Sequence, residues 1–166
     1  MSLSRASLLG GVDGVITSFA IVAGTHAGGI ASRGLLVIGI SSLLADGLSM
    51  GVSEYLSSAT ARAKGEHLSN ADDASPVQLG LACFLCFVLC GMFPTMAYVA
   101  FSANIAAVIC VTLLELLCLG GARAYLSHQK VWRGILETVG LGASAGAVAY
   151  AVGYVINELT SNYYDQ

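Results

Sequence analysis

Residues 34–58 read GLLVIGISSLLADGLSMGVSEYLSS, an apolar run that holds Asp46 and Glu54 and not one Lys or Arg. A helix needs about 20 such residues, at 1.5 Å each, to cross the ~30 Å hydrocarbon layer of a bilayer, so this run is long enough to span it. Two carboxylates inside it are costly. On insertion scales a charged side chain near the helix centre costs about 2.5–3.5 kcal/mol, and no basic neighbour offsets that cost here.

The same imbalance recurs along the chain. Asp13, Asp46, Glu54, Glu115 and Glu137 all fall in long apolar helical stretches, and the basic residues fall between those stretches. Of 166 residues 56% are hydrophobic and 10% charged, with a mean hydropathy of +0.78, which describes an all-α integral membrane protein and excludes an ordinary soluble domain. A net charge of −3 and a pI near 5.4 give no footing for nucleic-acid binding. No nucleophile, base and orienting group come together in a recognisable pattern, so the sequence does not read as an enzyme, and no cofactor is expected.

Polar and Gly-rich breaks divide residues 1–166, read as one transmembrane domain, into five expected helices at about 7–30, 34–58, 76–100, 102–122 and 132–157. The start, with Arg5 as its one basic residue and no cleavage signature, reads as a retained first helix. Ser75-Pro76 is an N-cap and first-turn pair for the third helix, and Gly120-Gly121 is expected to stop the fourth. Arg5, Arg62, Lys64, Arg123, Lys130 and Arg133 fall on one side and Arg33 alone on the other. That asymmetry places the N-terminus in the cytoplasm, the C-terminus outside or in a lumen, and residues 59–75 in a short cytoplasmic loop. Small residues four apart, such as Gly10 with Gly14 and Gly142 with Gly146, favour close helix approach within a protomer or across a dimer.

With that topology Asp13, Met50, Glu54, Glu115 and Glu137 lie about one to two turns in from the cytoplasmic helix ends, and Asp46 lies near the midplane. Asp46, Met50 and Glu54 recur every fourth residue and form a slowly drifting stripe on the second helix. Carboxylates with a thioether suit a transition metal such as Fe2+ better than Mg2+ or Ca2+, and Thr17, one turn beyond Asp13, offers another oxygen. Crowded, desolvated carboxylates also bind protons, so protons and metal would compete for the same oxygens. The plainer reading of any one carboxylate is a hydrogen bond to a neighbouring helix, and of Met50 alone, packing. Cys83, Cys86 and Cys90 share a face of the third helix as small packing residues, and with Cys110 and Cys118 they lie in apolar runs that do not suggest a disulfide framework. His26 and His128 read as interfacial polar groups, and Trp132 with Tyr125, Tyr150, Tyr154, Tyr163 and Tyr164 as a set that includes headgroup-level anchors.

The stretch Gly11-Val12-Asp13-Gly14-Val15-Ile16-Thr17-Ser18-Phe19-Ala20, followed by Leu44-Ala45-Asp46-Gly47-Leu48-Ser49-Met50-Gly51 and Glu54-Tyr55-Leu56-Ser57, resembles the first two helices of the vacuolar iron transporter family. The likeness continues through Pro76, Phe84, Phe87, Gly91 and Pro94, then Thr112-Leu113-Leu114 and Gly120, and Arg133-Gly134 with Glu137 and Gly153. The resemblance implies a five-helix protomer working as a homodimer that exports cytosolic Fe2+, and often Mn2+, in exchange for protons. It assigns the metal path to Asp13 and Met50, with Glu54 belonging to the matching Glu-Tyr motif. Asp46 is a further metal candidate, and Glu115, Glu137 and Thr17 are secondary or proton-coupling candidates. A bacterial inner membrane and a eukaryotic vacuolar or other intracellular membrane both fit such export. Two other readings are a passive divalent-cation channel and a non-transporting membrane assembly or metal-sensing subunit. The sequence departs from the family's well-studied members in one respect: they extend the second helix into a cytoplasmic metal-gathering domain, whereas residues 59–75 offer only Glu66, His67, Asp72 and Asp73 as ligands, in a segment that reads as a solvated connector.

Overall fold

The computed structural model describes residues 3–64 and 74–164. Its described residues form five helices: α1 (Leu3–Ala27), α2 (Ser32–Ala63), α3 (Pro76–Ala100), α4 (Ile105–Leu126) and α5 (Val131–Tyr164). All five are long and apolar enough to cross a membrane. Glu66, His67, Asp72 and Asp73 lie outside the described residues.

α1 is the hub, touching each of the other four helices, while α2 touches only α1 and α3. The reason lies in its small residues. A Cβ added at Gly10 or Gly14 would run into the backbone carbonyls of Cys83 and Phe87, so α1 and α3 meet backbone to backbone, and Gly24 approaches Gly153 of α5 in the same way. In a membrane, lipid tails are as apolar as the protein, so such packing of surfaces takes the place of water exclusion as the force that joins helices. α2 joins α3 similarly, a Cβ at Gly51 lying 2.8 Å from the Gly80 carbonyl oxygen. The large apolar side chains mostly point outward instead, among them Val37, Leu89, Phe93, Leu114, Val148 and Leu159, each at least 60% exposed in the protomer. This inside-out distribution fits a chain whose solvent is hydrocarbon.

The helix ends show local chemistry. Ser75 and Gln78 form a capping box, with the Gln78 N–H donating to Ser75 Oγ (3.3 Å) and the Ser75 N–H donating to Gln78 Oε1 (2.8 Å), and Pro76 occupies the first turn where its missing N–H costs nothing. Asn104 caps α4 by accepting from the backbone N–H groups of Ala106 (3.0 Å) and Ala107 (3.4 Å), a role its position in an apolar hairpin did not disclose. Ser102 and Ala103 take left-handed backbone angles (φ 53° and 64°) to make the tight turn that precedes it.

Several boundaries differ from expectation. α1 begins at Leu3 and ends at Ala27; α2 continues to Ala63; α5 continues to Tyr164. Gly120-Gly121 does not stop α4, which runs on to Leu126. A Cβ at Gly120 would meet Gly134 and Ile135 of α5 at 3.1 Å, so this glycine serves close helix packing, and the turn comes later, where His128 adopts φ 51°.

Candidate functional site

The α1 residues that bury Gly10 and Gly14 against α3 turn Asp13 the other way, onto an open face of the protomer, and Asp46 of α2 is exposed as well. The two carboxylates lie within electrostatic reach of each other. Thr17 is half-buried one turn beyond Asp13.

The stripe on α2 turns as it descends. At 3.6 residues per turn a four-residue spacing drifts about 40° each time, so three members cannot face one direction. Asp46 is accordingly exposed, Met50 half-buried against Ala6, Leu79 and Cys83, and Glu54 only 7% exposed. Glu54 accepts a hydrogen bond from Ser58 Oγ at 3.2 Å and lies within electrostatic reach of Cys83, which also senses Asp13. The expected ladder is therefore a spiral from the open face to the α2–α3 contact. Among the described residues no three His, Cys, Asp or Glu side chains converge to hold a metal ion.

Glu137 corrects the expectation of uncompensated carboxylates. Arg123 Nη1 stands 3.6 Å from Glu137 Oε2, with both side chains nearly half exposed. The pair exists because α4 continues past Gly120-Gly121 and carries Arg123 on its last turn rather than in a loop. Glu115 has no such partner: its Oε2 is buried without a hydrogen bond, and its charged or polar surroundings include Cys90 of α3. Ser18 and Thr112 carry buried hydroxyls that are likewise unpartnered, which their ordinary appearance in apolar helices did not reveal. At the far end of the bundle His26 Nδ1 and Tyr98 Oη are 3.1 Å apart, their rings edge to face. All five cysteines are free thiols. An apolar groove of about 340 Å3 between α1, α4 and α5, bordered by Phe19, Thr112, Leu116, Gly146 and Tyr150, contains no carboxylate.

Fold and side chains together define a polytopic α-helical integral membrane protein with Asp13 exposed on its central helix, within electrostatic reach of Asp46 on α2. The family model for the VIT family matches residues 4–71 and 59–154, and the chain belongs to that family. The two matches overlap at residues 59–71, across the end of α2 and into the link that follows it. A vacuolar iron transporter of Plasmodium falciparum is 26% identical over an alignment of 222 positions that takes in 92% of this chain and 81% of the relative. Since that alignment is longer than the 166 residues here, the relative holds inserted residues with no counterpart in this chain. Vacuolar iron transporter homolog 1 of Oryza sativa subsp. japonica is 31% identical over 166 positions, covering 89% of this chain and 71% of the relative. A vacuolar iron transporter of Toxoplasma gondii is 46% identical over 55 residues, a local match that spans 33% of this chain and 18% of the relative's length.

Proposed function

We propose that the protein carries a divalent transition metal, Fe2+ and also Mn2+, across its membrane in exchange for protons, working as a homodimer with both N-termini in the cytoplasm. One observation carries this reading: Asp13 and Asp46 stand within electrostatic reach of each other, both exposed on the protomer, in helices apolar enough to cross a membrane. Ionisable side chains at bilayer depth face a protein interior or a wet cavity, so a second copy packed on the open side of α1 supplies the missing wall. The pair of copies would set two Asp13 carboxylates along one seam, with Met50 and Glu54 leading toward it from the cytoplasmic ends of both α2 helices. Oxygen and thioether donors together suit Fe2+, and the same oxygens accept protons once the metal leaves.

The relatives' names support an iron substrate and an intracellular membrane, and membership of the family supports metal transport as the class of activity. Purified protein in liposomes tests the proposal. Fe2+ and Mn2+ should move uphill when a pH difference is imposed, and Asp13→Asn or Met50→Ala should lower that flux sharply. Unchanged flux in both variants would overturn the assignment of the path; flux that only ever runs downhill would identify a passive channel; metal binding by calorimetry without flux would identify a non-transporting assembly.

A further inference from the structure

Among the described residues three buried side-chain atoms lack a hydrogen-bond partner: Ser18 Oγ, Thr112 Oγ1 and Glu115 Oε2. None of them lies on the metal route proposed above, and helix register sets them on adjoining turns of α1 and α4. α1 and α4 run antiparallel, with Gly11 facing Leu119 and with Val22 in the same buried cluster as Val108. That register sets Ser18 level with Thr112 and puts Glu115 one turn away, toward the N-terminal end of α1. α3 closes the third side, for Ser18 Oγ sits beside Gly91 and Cys90 lies within electrostatic reach of Glu115. Pro94 adds an acceptor, since it has no N–H to give to the Cys90 carbonyl four residues earlier.

Ser18 is fully buried and Thr112 is 2% exposed, so neither hydroxyl is satisfied by bulk water, and a buried polar group without a partner is unfavourable. Among the described residues no cation pairs with Glu115. Cys90 of α3 is within its electrostatic reach, Asp13 of α1 is turned to the open face, Glu137 of α5 is engaged with Arg123, and α2 does not touch α4. The three atoms lie beyond hydrogen-bond reach of one another, so what meets these vacancies is a proton on the carboxyl together with water bridging it to hydroxyls that both donate and accept.

We propose that Glu115, with Ser18 and Thr112, forms a proton-holding site at the α1, α3 and α4 junction, separate from the metal route. The step is a simple protonation: one O–H bond forms at Glu115 as a hydronium ion gives up its proton and breaks as the proton returns to water, with bridging water between the carboxyl and the Ser18 and Thr112 hydroxyls as its relay. Outward of this site the Val22, Leu35 and Val108 cluster closes the bundle, and beyond it stands the His26–Tyr98 pair. Glu115 would then hold a proton besides those that replace the metal on the path carboxylates of the same protomer. This inference rests on the reading of the protein as a proton-exchanging transporter, and it can fail while that reading stands.

The test combines flux and spectroscopy on the full chain in liposomes. Wild-type protein should accumulate Mn2+ against its gradient when a pH difference is imposed, whereas Glu115→Gln should lose that accumulation and keep downhill Mn2+ movement. A Glu115→Gln protein that accumulates Mn2+ as wild type does would overturn the site while leaving the transport reading intact. If wild-type protein moves no metal, the transport reading fails, and infrared difference spectra judge the site alone: a carboxyl C=O band that titrates in wild type should vanish in Glu115→Gln, and its persistence would overturn the proposal. Should Glu115→Gln not fold, the double variant Ser18→Ala, Thr112→Val keeps the carboxyl and should shift the pH at which the band titrates; an unmoved titration would overturn the proposal.

Discussion

Glu137 and Glu115 look alike in sequence, each a lone carboxylate in an apolar stretch, yet only Glu137 meets a cation. The difference is one helical turn of α4 beyond Gly120-Gly121, which carries Arg123 to within 3.6 Å. Because both partners are close to half exposed, Glu137→Gln should change the midpoint of thermal unfolding in detergent only slightly, corresponding to about 0–1 kcal/mol, and any change should shrink as salt is raised. A drop well above that range would show that the ion pair is a structural core. Asn104 is the opposite case of a polar residue whose value was invisible. Its side chain accepts from two orphan N–H groups at the start of α4, so Asn104→Ala should cost about 1 kcal/mol of stability, while Asn104→Asp or Asn104→Ser should keep most of it. Equal stability of the Ala and Ser variants would contradict the capping role.

At the scale of the element, glycine placement decides which helices touch. Gly10 and Gly14 let α1 lie against the α3 backbone at Cys83 and Phe87, and the same approach leaves Asp13, between them in sequence, facing away. Gly14→Val therefore places a branched side chain into a carbonyl of α3. Overpacking of this kind costs about 1–3 kcal/mol where side chains can move, and a backbone neighbour cannot, so the variant should lose the folded protomer in a cysteine-accessibility or thermal assay. Gly140, with nothing within 4 Å of its added Cβ, is the control: Gly140→Ala should fold as wild type does. The contrast is one of packing, since both residues sit in helices of similar hydropathy. The α2 stripe makes the same point. Spacing by four placed Asp46, Met50 and Glu54 on one face in outline, but the drift of about 40° per step separates an exposed Asp46 from a buried Glu54.

On the scale of the whole molecule, α1 touches every other helix and still shows Asp13 on an open side, the face that the proposed second copy would cover. If the proposed homodimer is correct, light scattering in mild detergent should give a protein mass of two 17.0 kDa chains, and a Leu9→Cys variant, exposed one turn from Asp13 on α1, should cross-link between copies. A protein mass of one chain at all concentrations would refute it. The sequence by itself determined the membrane, the five helices and the family: hydrophobic length, the placement of basic residues and the Asp13 and Met50 motifs are linear properties that a bilayer and a fold lineage read directly. It also located the Ser75-Pro76 start of α3, because a capping box is contained within four consecutive residues. Only the tertiary structure decided which carboxylate is paired, which is exposed and which lies beside unpartnered hydroxyls. Those properties depend on register and rotation between helices distant in sequence, set by backbone contacts at Gly10, Gly14, Gly51 and Gly120. A periodic pattern names the residues on a helix face, but a neighbouring helix decides what that face meets.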